Sequence, residues 1–419
     1  MNLIVVDKCT NYCKYCFASN EMAKQDAKAV LQKKDIPIVL DFIRNSGPDF
    51  NLNIIGGEPF LYRELPYLVE KVLELDNVRK ICIFTGGIAS SKVVQNLCHL
   101  DISRVNFLFN MNEKKDYKTE KEYELVLKNF DLLVSNGFKA NFGYNIYELD
   151  FNYQEILDLC LEYGTHNLRW TIAFPELIPN PNTITLLPQE YKLVADKVAD
   201  FLEVAYQAKI KAALDCPVPK CFFSNEQMGR ISYTQPLTSS AIKACGPVID
   251  VTPDLEVFRC YALSNLKRTK LTNFFNYQAA VEFYESNIDQ IYQIPETFEY
   301  CNKCEFAMNQ TCYGGCIAHS PDSIGKRVSE EELLMSMFEG FQKEDIDLVS
   351  QIFIENFHVL HDNPNANYLM SFVSEINGNI SLAKSQARKS IICSNSVENV
   401  HQFKQRFSSL LKQHNNLLV

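Results

Sequence analysis

The sequence predicts an α/β protein. Repeated βα units with a parallel sheet come first, a small cysteine-rich α+β region follows, and a helical tail ends the chain. Three observations carry this. Helix-period apolar spacing alternates with short β-rich runs from residue 1 to about residue 200. Of fifteen cysteines, seven fall between Cys221 and Cys316. From residue 329 to 419 the pattern is helical throughout.

The chain has 419 residues, room for two or three domains and a sizeable core. Hydrophobic residues make up 47% and charged residues 22%, an ordinary globular composition. No apolar run reaches 18 residues, so no transmembrane helix is expected. The start, Met1-Asn-Leu-Ile-Val-Val-Asp7, has neither a basic region nor a cleavage site, so no secretory signal is expected. The expected location is the reducing cytoplasm, where clustered cysteines bind metal more often than they form disulfides. A net charge of −10 argues against a nucleic-acid backbone as the main partner.

The elements follow in order. Asn2 to Val6 is an apolar run read as strand one. Residues 23–45 read as a helix, Asn51 to Ile55 as strand two, and Leu65 to Leu75 as a helix. Lys80 to Thr85 is strand three and Val105 to Asn110 strand four. Residues 117–136 form a long amphipathic helix stopped by Asn136-Gly137. Ala140 to Ile146 is strand five, 153–163 a helix, and Asn167 to Phe174 strand six before Pro175. Residues 186–212 read as one long helix. Near residue 214 the chain turns into the proline-rich crossing Cys216-Pro-Val-Pro-Lys-Cys221. The expected domains are therefore 1–213, 214–328 and 329–419.

The loop leaving strand one, Asp7-Lys-Cys-Thr-Asn-Tyr-Cys-Lys-Tyr-Cys-Phe17, sets Cys9, Cys13 and Cys16 in C-x3-C-x2-C spacing. Three thiolates so close together clamp one cubane iron–sulfur cluster, which normally takes four cysteines. The remaining iron keeps an open position, and an open position on a metal site marks chemistry. Half of a zinc site and a redox thiol pair are the rival readings. Zinc spacings are mostly paired C-x2-C, and a redox pair explains only two of the three thiols. Gly56-Gly57-Glu58-Pro59 follows strand two, and Thr85-Gly86-Gly87 follows strand three. The glycines let backbone approach a ligand closely, and Glu58 presents a carboxylate beside them. A plain β-turn is the alternative for Gly56-Gly57-Glu58-Pro59.

On these residues the chain resembles the radical S-adenosylmethionine (radical SAM) enzymes. The resemblance implies a partial (β/α)6 TIM-like barrel with functional loops at the C-terminal ends of strands. It implies a [4Fe–4S] cluster on Cys9, Cys13 and Cys16, with SAM chelating the open iron through its amino and carboxylate groups. Tyr15, the aromatic residue before the third cysteine, would lie near the adenine. Gly56, Gly57 and Glu58 would bind the SAM amino group, with Thr85 beside them. Asn110, Asn112 and Asn145 end strands four and five and are candidates for the ribose or methionine carboxylate. Arg169 in strand six is a candidate for a carboxylate. A structural strand-end role is the equal alternative for each. The run Leu168 to Pro175, with the only tryptophan, either faces the site or fills the barrel.

The second cysteine set begins with a hairpin: Val248 to Val251, a turn at Pro253-Asp254, then Val257 to Arg259, bracketed by Cys245 and Cys260. After a helical insert come Cys301-Asn-Lys-Cys304 and Cys312-Tyr-Gly-Gly-Cys316. This resembles the SPASM or twitch extension of radical SAM enzymes, which holds one or two auxiliary [4Fe–4S] clusters. Family topology implies that Cys245, Cys260 and Cys316 serve the nearer cluster, with Cys221 or Cys216 as fourth ligand. Cys301, Cys304 and Cys312 would serve the farther one. The family's C-x2-C-x5-C is stretched here to C-x2-C-x7-C, and no cysteine follows Cys316 before Cys393. That leaves His319 or Cys393 as a fourth ligand, or a farther cluster that is incomplete, absent or merged with the nearer. A zinc ribbon is the non-redox rival. Tyr261 stands where sulfatase-maturing members carry an Asp base, so that subfamily is not expected. Cys82, Cys98 and Cys160 read as small core residues. Residues 366–387 faintly resemble one tetratricopeptide unit; about three are needed for independent stability, so a cap or partner surface is expected.

The resemblance implies reductive cleavage of SAM to methionine and a 5′-deoxyadenosyl radical, which abstracts hydrogen from the substrate. An auxiliary cluster that accepts an electron or ligates the substrate suits a net oxidation, such as a thioether or carbon–carbon crosslink, or a dehydrogenation. Such extensions go mostly with ribosomally made peptides, so a peptide substrate is expected. A dehydrogenase or epimerase of a small molecule or peptide is one alternative, and a non-catalytic zinc or iron–sulfur protein another. Strand one begins at residue 2, so no N-terminal leader-binding domain is expected. Recognition would fall to the tail, a barrel surface or a separate leader-binding protein. A flavodoxin- or ferredoxin-like protein is the expected electron donor.

Overall fold

Alternating side chains set the strands. In β2 (Phe50–Ile55) Phe50, Leu52 and Ile54 are buried while Asn51 faces solvent, the two-residue period of a pleated strand. The computed structural model describes residues 1–19, 30–173, 183–186, 190–242, 245–246, 248–264, 266–290, 301, 303–317, 330–356, 360–361, 363–394 and 397–416. β1 (Asn2–Ile4), β2, β3 (Val78–Thr85), β4 (Val105–Met111), β5 (Lys139–Ile146), β6 (Asn167–Ile172) and β7 (Lys211–Leu214) lie side by side in that order, all parallel. Between them run α1 (Ile36–Arg44), α2 (Leu65–Leu73), α3 (Ser91–Gln95), α4 (Glu120–Ser135), α5 (Tyr153–Glu162) and α6 (Tyr191–Gln207).

The helices are specified locally. Thr119 caps α4 by accepting from the Glu122 N–H at 3.3 Å, and Gly137, at φ +87°, ends it. α4 then buries Phe130 between Phe142, stacked at 4.2 Å, and Phe109 at 5.1 Å. Trp170 is fully buried in β6 and donates to Thr238 Oγ1 at 3.0 Å, so it fills the core.

Two expected helices are shorter than predicted. Of residues 23–45, those up to 29 lie outside the described residues. Val30 bridges Val6, and the Leu31 N–H bonds the Val5 carbonyl at 3.0 Å. That pairing takes the backbone an early helix would need. A 3-10 turn, Lys33–Asp35, leads into α1, with Pro37 in its first turn. Residues 186–212 likewise do not form one helix. α6 stops at Gln207, Lys209 turns to φ +59°, and β7 follows. Pairing with β6 overrides the helical preference of Lys211-Ala-Ala-Leu214.

Among the described residues the sheet does not close. The outer edge of β7 is covered instead: the Ala212 N–H donates to Gln235 Oε1 at 2.9 Å, and Thr238 Oγ1 donates to the Ala212 carbonyl at 2.9 Å. Both residues belong to the segment around α7 (Asn225–Thr234) and α8 (Pro236–Ala241).

At the other edge the cysteine-rich region joins the same sheet. β8 (Asp250–Val251) runs parallel to β1, with Asn2 opposite Asp250. β9 (Glu256–Phe258) pairs antiparallel with β8, and β10 (Thr269–Lys270) with β9, giving ten strands in one sheet. The hairpin turns through Leu255 at φ +60°. α9 (Tyr277–Tyr284) and the short α10 (Glu305–Met308) complete this part. Fully buried Arg259 is held by Asp289 at 2.7 and 3.0 Å.

The chain divides into two compact units, Met1–Ser320 and Pro321–Val419. The second holds α11 (Glu330–Gln342), α12 (Ile346–Glu355), α13 (Pro364–Ile376), α14 (Ile380–Cys393) and α15 (Val397–Asn416). Met337, Val349, Leu360, Ala366 and Val373 form its core. Arg406 ties α15 to α13 through Ser371, Glu375 and the Phe372 ring. Among the described residues no helix is long and apolar enough to cross a membrane.

Candidate active site

The loops after β1 and β2 interlock by backbone, and side chains tie the loop after β3 to both. The Val6 and Lys8 carbonyls accept from the N–H groups of Gly57 at 2.7 Å and Glu58 at 3.0 Å. A Cβ on Gly56 would sit 2.6 Å from the Val6 oxygen, and one on Gly57 2.9 Å from the Cys9 nitrogen. Only glycine permits this approach. Thr10 Oγ1 donates to the Ile88 carbonyl at 3.0 Å, tying the cysteine loop to the loop after β3. Buried Asn129 of α4 supports that loop by donating to the Gly87 and Ala89 carbonyls at 2.9 and 2.7 Å.

These loops open onto a cavity of about 340 Å³. Cys9, Cys13, Tyr15 and Cys16 line it, with Gly56, Gly57, Thr85, Asn110, Asn145 and Arg169. Cys216, Cys245, Cys260 and Cys316 line the same cavity. Of the predicted residues, Glu58, Asn112, Cys221, Cys301, Cys304 and Cys312 are not among its walls. His319 lies outside the described residues. Cys393 closes α14 in the second unit.

Tyr15 anchors the loop. Its hydroxyl donates to Asn112 Oδ1 at 2.6 Å and accepts from Asn145 Nδ2 at 3.0 Å, and its ring stacks on Tyr147 at 5.2 Å. Asn112 Nδ2 in turn lies 3.4 Å from Cys13 Sγ. Opposite Asn110 stands Gly143, where a Cβ would come 2.6 Å from the Asn110 amide oxygen. Arg169 pairs with Asp215 and lies over the Phe84 ring at 4.8 Å, so the carboxylate it meets here is the chain's own.

Glu58, expected to face an ammonium, is fully buried. Its carboxylate accepts from Thr85 Oγ1 at 2.6 Å, the Gly86 N–H at 2.9 Å and the Phe60 N–H at 3.1 Å. Burial raises its pKa, against the pull of these donors. In this position it fastens the loop after β3 to the loop after β2.

Burial pushes the Cys9 thiol up to about 12 and raises Cys13 as well. Cys260 is likewise pushed up to about 12, and Cys216 is raised by burial and by Asp215. Cys245 goes the other way, lowered to about 6 by a hydrogen bond from the Cys316 thiol, against its burial and with help from the Arg259 guanidinium. That same bond and burial raise Cys316. The thiols raised by burial, those of Cys9, Cys13, Cys216, Cys260 and Cys316, give up their protons readily only to a metal.

The donor set fits an iron–sulfur group. Three thiols share one loop, and the Asn11 N–H donates to Cys9 Sγ at 3.3 Å, as cluster sulfurs require. Among the described residues buried Asn11 Oδ1, on the same wall, has no hydrogen-bond partner, an acceptor left for a ligand. Among the described residues no three metal-binding side chains converge on a single-ion point, whereas a cubane spreads its thiolates over four irons.

Sequence reasoning missed Asn11, Asp215, Asp250 and Arg259 as cavity residues. Asp215 and Cys216 follow β7 directly. The strand-end rule would have found Asp215 had the four-residue β7 been recognised.

Residues 3–162 match the model of the Radical SAM superfamily. Among curated proteins, GTP 3′,8-cyclase of Saccharophagus degradans is 25% identical over 185 residues, covering 43% of this chain and 54% of that protein. GTP 3′,8-cyclase of Clostridium perfringens (strain SM101) is 24% identical over 216 residues, 47% of this chain and 64% of its own length. The chain thus spans about half the length of the first of these relatives, 54%. Among solved structures, native anSMEcpe with bound AdoMet aligns with a TM-score of 0.57 at 16% identity, over 90% of this chain and 99% of that one. Native anSMEcpe with bound AdoMet and Cp18Cys peptide gives 0.55 at 16%, over 89% and 98%. At such identity the likeness speaks for the fold, a mixed α/β partial barrel with a parallel sheet. The family match implies a [4Fe–4S] cluster and SAM.

Proposed function

We propose that the chain is a radical SAM oxidoreductase that modifies a peptide, by a thioether or carbon crosslink. One observation carries this reading: the Cys9, Cys13 and Cys16 loop and the set Cys216, Cys245, Cys260 and Cys316 line one cavity. A substrate between them has a hydrogen-abstracting site on one side and an electron-accepting or ligating site on the other. That pairing suits net oxidation.

Cys9, Cys13 and Cys16 would hold a [4Fe–4S] cluster with SAM at its open iron, and the pair would supply one-electron reductive cleavage of SAM and hydrogen abstraction from the substrate. The chain's own part is positioning. Tyr15 and Tyr147 offer a stacked aromatic face for an adenine. Asn145 and Asn110 bring amide groups to the cavity, and Gly56 and Gly57 bring bare backbone. Glu58 holds the Thr85-Gly86 turn in register. Phe17, Ile55 and Phe84 give the cavity apolar walls that exclude water from a reactive intermediate. One or two auxiliary clusters, a flavodoxin- or ferredoxin-like donor and a separate leader-binding protein belong to the same proposal.

The curated relatives named GTP 3′,8-cyclase favour a nucleotide as the second reading. A triphosphate needs cationic groups to receive it. Both arginines on the cavity wall already hold aspartates, Arg169 with Asp215 and Arg259 with Asp289. This supports a less charged substrate such as a peptide.

The test is anaerobic incubation of reconstituted protein with SAM, reductant and either candidate peptides encoded beside the gene or GTP. Formation of 5′-deoxyadenosine together with a peptide two mass units lighter is the expected result. Unchanged mass with solvent deuterium uptake means epimerisation instead. Turnover of GTP alone, or zinc with no SAM cleavage, overturns the proposal.

A further inference from the structure

The two thiols of the crossing Cys216-Pro-Val-Pro-Lys-Cys221 have different surroundings. Cys216 follows β7 and lines the cavity beside Cys245, Cys260 and Cys316. Cys260 and Cys316 pack together around Ala262. Four thiols are the full complement of a cubane. The inner set therefore needs no ligand from Cys221, which is not on the cavity wall.

Cys221 is the middle residue of a 3-10 turn, Lys220–Phe222, on the far side of two prolines. The residues before it pack against the other cysteines. Gly315, at φ +85°, lies so close to Val218 and Pro219 that a Cβ would come within 2.8 Å of the Pro219 nitrogen. The Lys220 N–H donates to Cys312 Sγ at 3.5 Å, and the Lys220 ammonium lies over the Phe306 ring at 5.2 Å. Phe306 belongs to the same knuckle, since its carbonyl accepts from the Cys312 N–H at 3.0 Å. Cys301 and Cys304 close that knuckle through a Cys304 N–H to Cys301 carbonyl bond at 3.1 Å. Consecutive residues cannot lie far apart, so Cys221 is carried to the Cys301, Cys304 and Cys312 side.

We infer that the crossing supplies one ligand to each of two clusters: Cys216 completes Cys245, Cys260 and Cys316, and Cys221 completes Cys301, Cys304 and Cys312. The second set then needs no ligand from beyond Cys316. The Lys220 N–H serves it as a donor to a cluster sulfur, the type of bond that tunes such groups. Two prolines fix φ along the crossing and hold the two ligands at a set separation. The inference rests on the proposed function only in taking the bound metal to be iron–sulfur.

The experiment compares single alanine variants of the full chain, reconstituted anaerobically, by iron and sulfide content and by the EPR spectrum of the reduced protein. Wild type is expected to hold about twelve irons, three cubanes. Cys260→Ala and Cys304→Ala mark the inner and outer losses. Cys221→Ala should lose about four irons and match Cys304→Ala in spectrum, while Cys216→Ala matches Cys260→Ala. Cys221→Ser should keep the iron and shift only the outer signal, which a purely structural role would not do. The SAM-induced change in the spectrum of the first-loop cluster checks that each variant is folded. The inference is overturned if Cys221→Ala retains full iron, if it matches Cys260→Ala, or if Cys393→Ala or His319→Ala empties the outer set instead. Zinc in place of iron would sink the proposed function, yet the same pairing of variants would still be read from zinc content.

Discussion

Cys9, Cys13 and Cys16 come from one loop, whereas Cys216, Cys245, Cys260 and Cys316 come from the end of a strand, the two ends of a hairpin and a distant turn. Both sets line the same cavity. The first is fixed by covalent spacing, by backbone bonds between the loops after β1 and β2, and by the Thr10 and Glu58 side chains that tie in the loop after β3. The second exists only once β7, β8 and β9 have taken their places in the sheet. A site built from one loop can keep its ligands when the rest is disturbed. A site gathered from four segments depends on the whole unit.

The strongest test of that contrast removes one thiol from each set. Cys13→Ala should bring 5′-deoxyadenosine formation to background and leave the spectrum of the second set in place. Cys260→Ala should abolish product while SAM cleavage without substrate stays within about threefold of wild type, since the first loop owes it no bond. Loss of uncoupled cleavage in Cys260→Ala would break the separation drawn here.

Gly57→Ala comes next. The added methyl would press on the Lys8 carbonyl and the Cys9 nitrogen, both backbone atoms that cannot rotate away. SAM affinity should fall about tenfold or more, with about 1–3 kcal/mol of stability lost to overpacking. Isothermal titration with SAM and a denaturant curve measure the two.

Tyr15→Phe keeps the ring on Tyr147 and removes the hydroxyl from Asn112 and Asn145. KM for SAM should rise about two- to fivefold with kcat nearly unchanged, about the worth of one hydrogen bond. A fall in kcat alone would mean that the hydroxyl acts in the chemistry.

The smallest effect concerns Asp250 in the cluster-free protein. Burial raises its carboxyl to about 7, although Asn2 Nδ2 donates to it at 2.7 Å. A raised carboxyl binds its proton more tightly folded than unfolded. Its contribution to stability is therefore complete below the unfolded carboxylate range and is lost as pH rises through about 7. Asp250→Asn should flatten that slope, shifting Tm by only a few degrees, as thermal melts across the range would show.

The sequence made the first loop legible because its chemistry lies in spacing. Gly56, Gly57 and Thr85 were legible too, since strand ends mark functional positions in such sheets. Side-chain direction was not. Glu58 reads as a ligand-facing carboxylate, and only the fold shows it turned into the protein against Thr85 and Gly86. Arg169 reads as a free cation until β7 brings Asp215 beside it. β7 itself was hidden because Lys211-Ala-Ala-Leu214 carries helix formers and only the backbone of β6 makes it a strand.

The pairing of β8 with β1 has a consequence for how the molecule is made. Asn2 and Asp250 are neighbours across the sheet and 248 residues apart along the chain. While the chain is being synthesised, the first strand has an open flank until the hairpin emerges from the ribosome. Contacts of such sequence separation form late, and an uncovered strand edge invites other chains. The nascent N-terminal half is thus the stage most exposed to aggregation, and metal loading of the second cysteine set belongs after the hairpin has docked. Expression trials should find a fragment ending near Leu214 insoluble and one carried past Phe258 markedly better behaved.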